Sequence, residues 1–184
     1  MVKWIIATFF GMLIGFMTYM MIHLGALKPV HIEEKSKPGF YLISKIHNGA
    51  YHKIVPIILD AEQWAKNNNY DCRFTFGEYF DDPETVEEGR LRSRGGCLME
   101  KLPDGIEKNL PEGYEIAQIS ERQYVVATFE GSPGIGPMKV YPKVKEYMQQ
   151  RRLTMNGSIM EIYEVKGPKE MTTTYLFPTA LPGK

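Results

Sequence analysis

Cysteine and histidine are scarce in this chain, and net charge is absent. Two cysteines and four histidines among 184 residues leave little material for a metal centre. Cys72 and Cys97 are too few and too far apart for a zinc set, and no histidine pair stands at ligand spacing, so no metal and no cofactor are expected. Lys and Arg balance Asp and Glu at 22 each, with no basic stripe and no zinc-finger spacing, so nucleic acid is not an expected partner. His23, His31, His47 and His52 fall in an apolar run, the stretch after it, and a strand–helix junction. None stands beside a Ser or Cys with a third orienting group, so no catalytic residue is assigned. Gly131, Gly134 and Gly136 do not match a dinucleotide fingerprint, and the proline that follows removes an N–H from any phosphate cradle. They read as a tight entry to a helix. The two cysteines fall on neighbouring antiparallel strands in the element reading below, where a bridge is geometrically possible; two buried thiols is the preferred reading.

What is present begins with a long hydrophobic run. Trp4 to Leu24 carries no formal charge over twenty-one residues. At ~1.5 Å per residue it matches the ~30 Å hydrocarbon core of a bilayer. A cleaved leader is the rival, but Leu24-Gly25-Ala26 puts a bulky residue where a small one is wanted. Residues 1–26 are therefore read as a single-pass anchor and 27–38 as a polar linker, with the globular domain at 39–181. Lys3 and the amino terminus precede the span, and Lys28, Lys35 and Lys37 follow it, a bias that leans weakly to a cytoplasmic domain and leaves the side undetermined.

The globular part repeats itself. Lys53-Ile54-Val55-Pro56 is echoed by Lys139-Val140-Tyr141-Pro142, each after a glycine-bearing break and each opening an amphipathic helical segment. Strands are predicted over 40–46, 73–80, 91–99, 114–119, 123–130, 158–165 and 172–177, and helices over 51–67 and 137–152. This is an α+β chain: duplicated strand–helix–strand–strand units forming an antiparallel sheet with two helices on one face. The seam between the halves is left free for a ligand.

Glu161 and Tyr163 stand two apart on a predicted strand and share a face, with Ile159 and Val165 beside them. A carboxylate among apolar and aromatic side chains is costly to bury unpaired and is raised in pKa or held ionised by a cation. The plainer alternative places it at a solvated rim. Glu78 occupies a comparable place in the first repeat and would complete a carboxylate pair if it shared that face.

Two segments carry a resemblance. Phe76 to Met99 (FGEYFDDPETVEEGRLRSRGGCLM) and Ser158 to Pro168 (SIMEIYEVKGP) resemble, in the right order, the middle and the closing Glu-x-Tyr segment of GyrI-like domains. The resemblance spans about Phe40 to Ala180. It implies a tandem SHS2-type fold with a cleft for amphipathic or cationic aromatic molecules around a central glutamate. Glu161 matches that glutamate and Tyr163 the aromatic of the same motif. Tyr175 lies on the last strand, where members often place a ring, and Tyr79 and Tyr51 follow by repeat position. Some members are hydrolases of strained electrophilic compounds. The expected function is thus a membrane-anchored small-molecule sensor or sequestering protein, with a hydrolase or a protein-docking adaptor as alternatives. The order of span, linker and domain is also similar to that of animal ER-phagy receptors. Their long acidic tail engages autophagy proteins; this chain stops at Lys184, so that role is not carried over.

Overall fold

The computed structural model describes residues 2–167 and 170–180; Pro168 and the expected domain end at 181 lie outside them. Helix α1 (Val2–His23) is the apolar run, long enough to cross a membrane and, among the described residues, exposed along nearly all its length. The first unit follows: β2 (Phe40–Asn48), a 3-10 turn (Tyr51–Ile54) running into α2 (Val55–Asn67), β3 (Phe74–Tyr79) and β4 (Arg92–Met99). The second repeats it as β6 (Arg122–Glu130), α3 (Gly136–Arg151), β7 (Ile159–Gly167) and β8 (Glu170–Pro178). Pro56 and Pro137 stand in first turns, where a missing N–H costs nothing. Ile58, Ala61 and Ala65 on α2, and Val140, Val144 and Met148 on α3, form the buried stripes that hold each helix to the sheet.

Among the described residues eight strands, with β1 (Val30–Lys37) and β5 (Glu115–Ile119) at the edges, join one antiparallel sheet in the order β1-β6-β8-β7-β3-β4-β2-β5. Each unit contributes its strands in mirrored order, so β7 and β3 meet at a central seam. Ile43 and Cys97 pack under α2, and Val125, Ala127, Phe129, Tyr175 and Phe177 under α3, so both helices cover one face.

The linker reading of 27–38 needs correction. Val30–Lys37 forms an edge strand, β1, paired with β6 from Val30↔Phe129 to Lys37↔Arg122. Its sequence, VHIEEKSK, is polar because an edge strand is half exposed and its charges discourage pairing with other chains. Val30 and Ile32 turn toward the α3 cluster, and Glu34 on the same face accepts from the Tyr147 hydroxyl of α3 at 3.4 Å. At the other edge β5 (Glu115–Ile119) pairs with β2. Two-residue links join β1 to β2 and β5 to β6, so the two edges must come together and the sheet curls. At the closure the Ser36 hydroxyl donates to Glu121 Oε1 at 2.8 Å. The inside of the curl is a second apolar layer containing Phe40, Leu42, Phe76, Leu98, Tyr124, Val126, Met160 and Leu176.

One further expectation changes, and one question left open by the sequence is answered. The cysteines are bridged, Cys72 to Cys97, with Cα atoms 5.4 Å apart, rather than free. Cys97 pairs in register with Thr75, and the chain entering β3 brings Cys72 back over that position. Glu78 does not share a face with Glu161. It lies opposite Met160, whereas Glu161 lies opposite Gly77, and strand alternation sends the two carboxylates to opposite sides. Glu78 is held instead by Arg94 Nε at 2.5 Å and by the Ser158 hydroxyl.

Candidate ligand-binding site

One row of residues runs across the centre of the helix-facing side. In register, Gly95 of β4 lies beside Gly77 of β3, then Glu161 of β7, then Tyr175 of β8. The first unit therefore contributes two bare positions and the second contributes a carboxylate and a ring. A Cβ on Gly95 would stand 2.8 Å from Ile58, so α2 comes right down onto that glycine. A Cβ on Gly77 would stand 2.8 Å from the Tyr79 hydroxyl, which lies across it. Gly136, at the start of α3, is equally tight: its Cβ would meet the Tyr175 hydroxyl at 2.0 Å.

Glu161 is only 4% exposed. Tyr141 of α3 donates to its Oε1 at 2.8 Å, and Tyr163 donates to its Oε2 at 3.0 Å. The Tyr163 and Tyr79 hydroxyls are 3.2 Å apart. The Tyr79 ring meets Tyr51 edge-on at 4.7 Å, and the Tyr51 hydroxyl donates to the Asp81 carbonyl at 2.6 Å. Glu161, Tyr163, Tyr79 and Tyr51 thus form a continuous line from the buried centre to the rim. Tyr175 stands on the other flank of Glu161, edge-on to Tyr141 at 6.1 Å. All five residues singled out from the sequence fall in this one cluster.

Burial pushes the Glu161 carboxyl from an ordinary 4.5 up to about 7, against the two tyrosine hydroxyls, which pull it down. The same burial, with the Glu161 charge nearby, raises Tyr79, Tyr141, Tyr163 and Tyr175, so these phenols stay protonated and act as donors. Among the described residues, the buried side-chain hydroxyls without a properly formed hydrogen bond are those of Ser93, Thr173 and Tyr175. All three project from the helix-facing side of the central strands; Thr173 Oγ1 lies near the Tyr175 hydroxyl without the geometry of a bond. A buried polar atom left unpaired costs about 1–3 kcal/mol; Thr173 and Tyr175 stand on β8 next to the β7 strand that carries Glu161, whereas Ser93 lies apart from them on β4.

Sequence reasoning missed Tyr141, which it assigned to the apolar stripe of α3. A buried tyrosine needs a partner for its hydroxyl, and that requirement is the signal that could have separated it from Val140 and Val144. Thr173 and Ser93 carry no such signal in an unfolded reading.

The element that covers the site also holds the apolar helix. Lys139, in the first turn of α3, donates its ammonium to the carbonyls of Gly25 (3.4 Å), Ala26 and Lys28, just past the end of α1. The Ser132 N–H donates to the Leu24 carbonyl at 3.0 Å. Leu27 and Met138 beside this joint are 81% and 71% exposed.

No protein-family model matches the sequence, and no curated protein matches it either. Solved structures do. The C-terminal domain of EcmrR superposes with a TM-score of 0.62 at 14% identity, covering 82% of this chain and 98% of that one. SAV2435, solved bound to tetraphenylphosphonium, gives 0.55 at 11% identity, over 82% and 94% of the two chains. A hydrolase from Listeria innocua gives 0.55 at 11%, over 81% and 91%. At such identities the likeness is one of fold, and that fold is the duplicated α+β arrangement predicted from the sequence.

Proposed function

We propose that the chain is a membrane-anchored binding protein of GyrI-like type. It takes an amphipathic or cationic aromatic molecule at the seam between its two halves. The observation that carries this reading is Glu161: a carboxylate buried among tyrosine rings, both oxygens held by phenol donors. A buried carboxylate gains most from a desolvated cation, and each ring face adds ~0.5–2 kcal/mol of cation–π attraction. SAV2435, of the same fold, is bound to such a cation. Glu161 is the counter-charge, Tyr163 and Tyr175 flank it, and Tyr79 and Tyr51 form the path to the rim.

The test is titration of the full chain in detergent with tetraphenylphosphonium. Saturable binding that drops at least tenfold in Glu161→Gln supports the reading; equal affinity in the two proteins removes Glu161 from the site. A hydrolase is the second reading. It draws on a carboxyl that titrates near neutrality and on a neighbour of this fold named as a hydrolase. Mass spectrometry of strained electrophiles after incubation separates the two: an unchanged compound that raises the melting temperature is a ligand, and a consumed one is a substrate.

A further inference from the structure

Two features outside the tyrosine cluster bear on which side of a membrane the domain occupies. The first is the Cys72–Cys97 bridge, whose Cα separation of 5.4 Å is that of an ordinary disulfide. Cys97 is fully buried, so its sulfur is shielded from solvent reductants in the folded domain. Bridges of this kind persist in oxidising compartments and are rare where thioredoxin and glutathione keep thiols reduced. The second is Asn156-Gly157-Ser158, the one N-x-S/T sequence in the chain, with no proline in the middle. Asn156 is exposed on the turn between α3 and β7. The lysine bias set against them amounts to a single charge, the amino terminus and Lys3 against Lys28, Lys35 and Lys37. A retained span with its amino terminus inside and a cleaved leader deliver the domain to the same place.

We infer that the globular domain folds on the oxidising, non-cytoplasmic side of the membrane, with Cys72 and Cys97 bridged there and Asn156 open to N-linked glycosylation. The two thiols give up two protons and two electrons to a disulfide oxidant of that compartment, which leaves as a dithiol. At Asn156 the amide nitrogen displaces a lipid pyrophosphate from C1 of an oligosaccharide donor; the N–C bond forms, the C–O bond breaks, and the amide proton passes to a base. The Ser158 hydroxyl is bonded to Glu78 in the folded domain, so the transferase meets the sequence before the domain closes.

The experiment is synthesis of the full chain with endoplasmic-reticulum microsomes, which supply both the oxidant and the transferase. A mass increase removed by endoglycosidase and lost in Asn156→Gln supports the inference. So do protection of the domain from added protease and cysteines that react with a maleimide only after reduction. A domain digested from outside, unglycosylated, with both thiols alkylated without reductant, overturns it. A protected and bridged but unmodified chain overturns the assignment of Asn156.

Discussion

Replacing Glu161 by glutamine separates the cost of burying its charge from every other contribution to stability. The carboxyl titrates near 4.5 when the chain is unfolded and at about 7 when folded. The folded state therefore keeps this proton to higher pH than the unfolded chain does. Stability is unaffected below pH 4.5, falls as pH rises from 4.5 to 7, and stays low above. The loss is about 3 kcal/mol. Glutamine carries no such cost, and it can accept from one tyrosine hydroxyl while its amide donates to the other. At 2–4 °C per kcal/mol for a chain of this size, Glu161→Gln should melt about 6–12 °C above the parent at pH 8 and level with it at pH 4.5. Thermal unfolding of both proteins in detergent from pH 4.5 to 8, followed by tryptophan fluorescence, reads this directly. Other carboxylates, including Asp81, which is held low by Arg92, titrate in both proteins and cancel in the difference. A melting difference that does not widen with pH would refute the buried-charge account of the site.

The remaining predictions concern the same centre and its frame. A bound cation holds Glu161 ionised, so tetraphenylphosphonium affinity should rise about tenfold per pH unit on approach to pH 7 and flatten above it; calorimetry at pH 7 in buffers of different ionisation enthalpy should register about half a proton released per ligand. Tyr141→Phe removes one donor from the carboxylate, a bond to a charged group worth about 1.5–3 kcal/mol. It should move the midpoint of that pH dependence upward by about one to two units without abolishing binding. Reducing the Cys72–Cys97 bridge, which closes 25 residues, should cost about 3.5 kcal/mol by the chain-entropy estimate, seen as a lower denaturant midpoint in the reduced protein.

Much of the fold was legible because its signals are local. Alternation marked β2, β3, β4, β6, β7 and β8 to within a few residues, and the first Lys-x-x-Pro echo fell at the start of α2, whereas the second lies a turn into α3, with Pro142 inside the helix. Strand β1 escaped because an edge strand has one buried face at most, and Glu33, Glu34, Lys35 and Lys37 mask its period. The disulfide depends on how the chain enters β3, which no periodicity encodes. The faces of Glu78 and Glu161 were undecidable for a related reason: a one-residue difference in register sends a side chain to the opposite side, and register is fixed only when β3 meets β7. Tyr141 was read as core because a helical stripe records which residues are buried and not what a buried hydroxyl bonds to.

The duplication and the site are connected through their asymmetry. A two-fold repeat brings like strands together at the seam. In the row Gly95, Gly77, Glu161, Tyr175 one half contributes no side chains and the other half two. Bare glycines let Ile58 and the Tyr79 ring descend to the sheet, which dries the surroundings of Glu161 and raises its pKa. The phenols around it are held protonated by the same burial, so the cluster offers several neutral donors and one ionisable acceptor. On the proposed reading such a centre would discriminate by charge: an anion would meet the Glu161 carboxylate, whereas an aromatic cation would meet a counter-charge and ring faces at once. Tyr141 belongs to the same helix whose Lys139 grips the end of α1, so one element both covers the Glu161 cluster and forms the joint with the apolar helix.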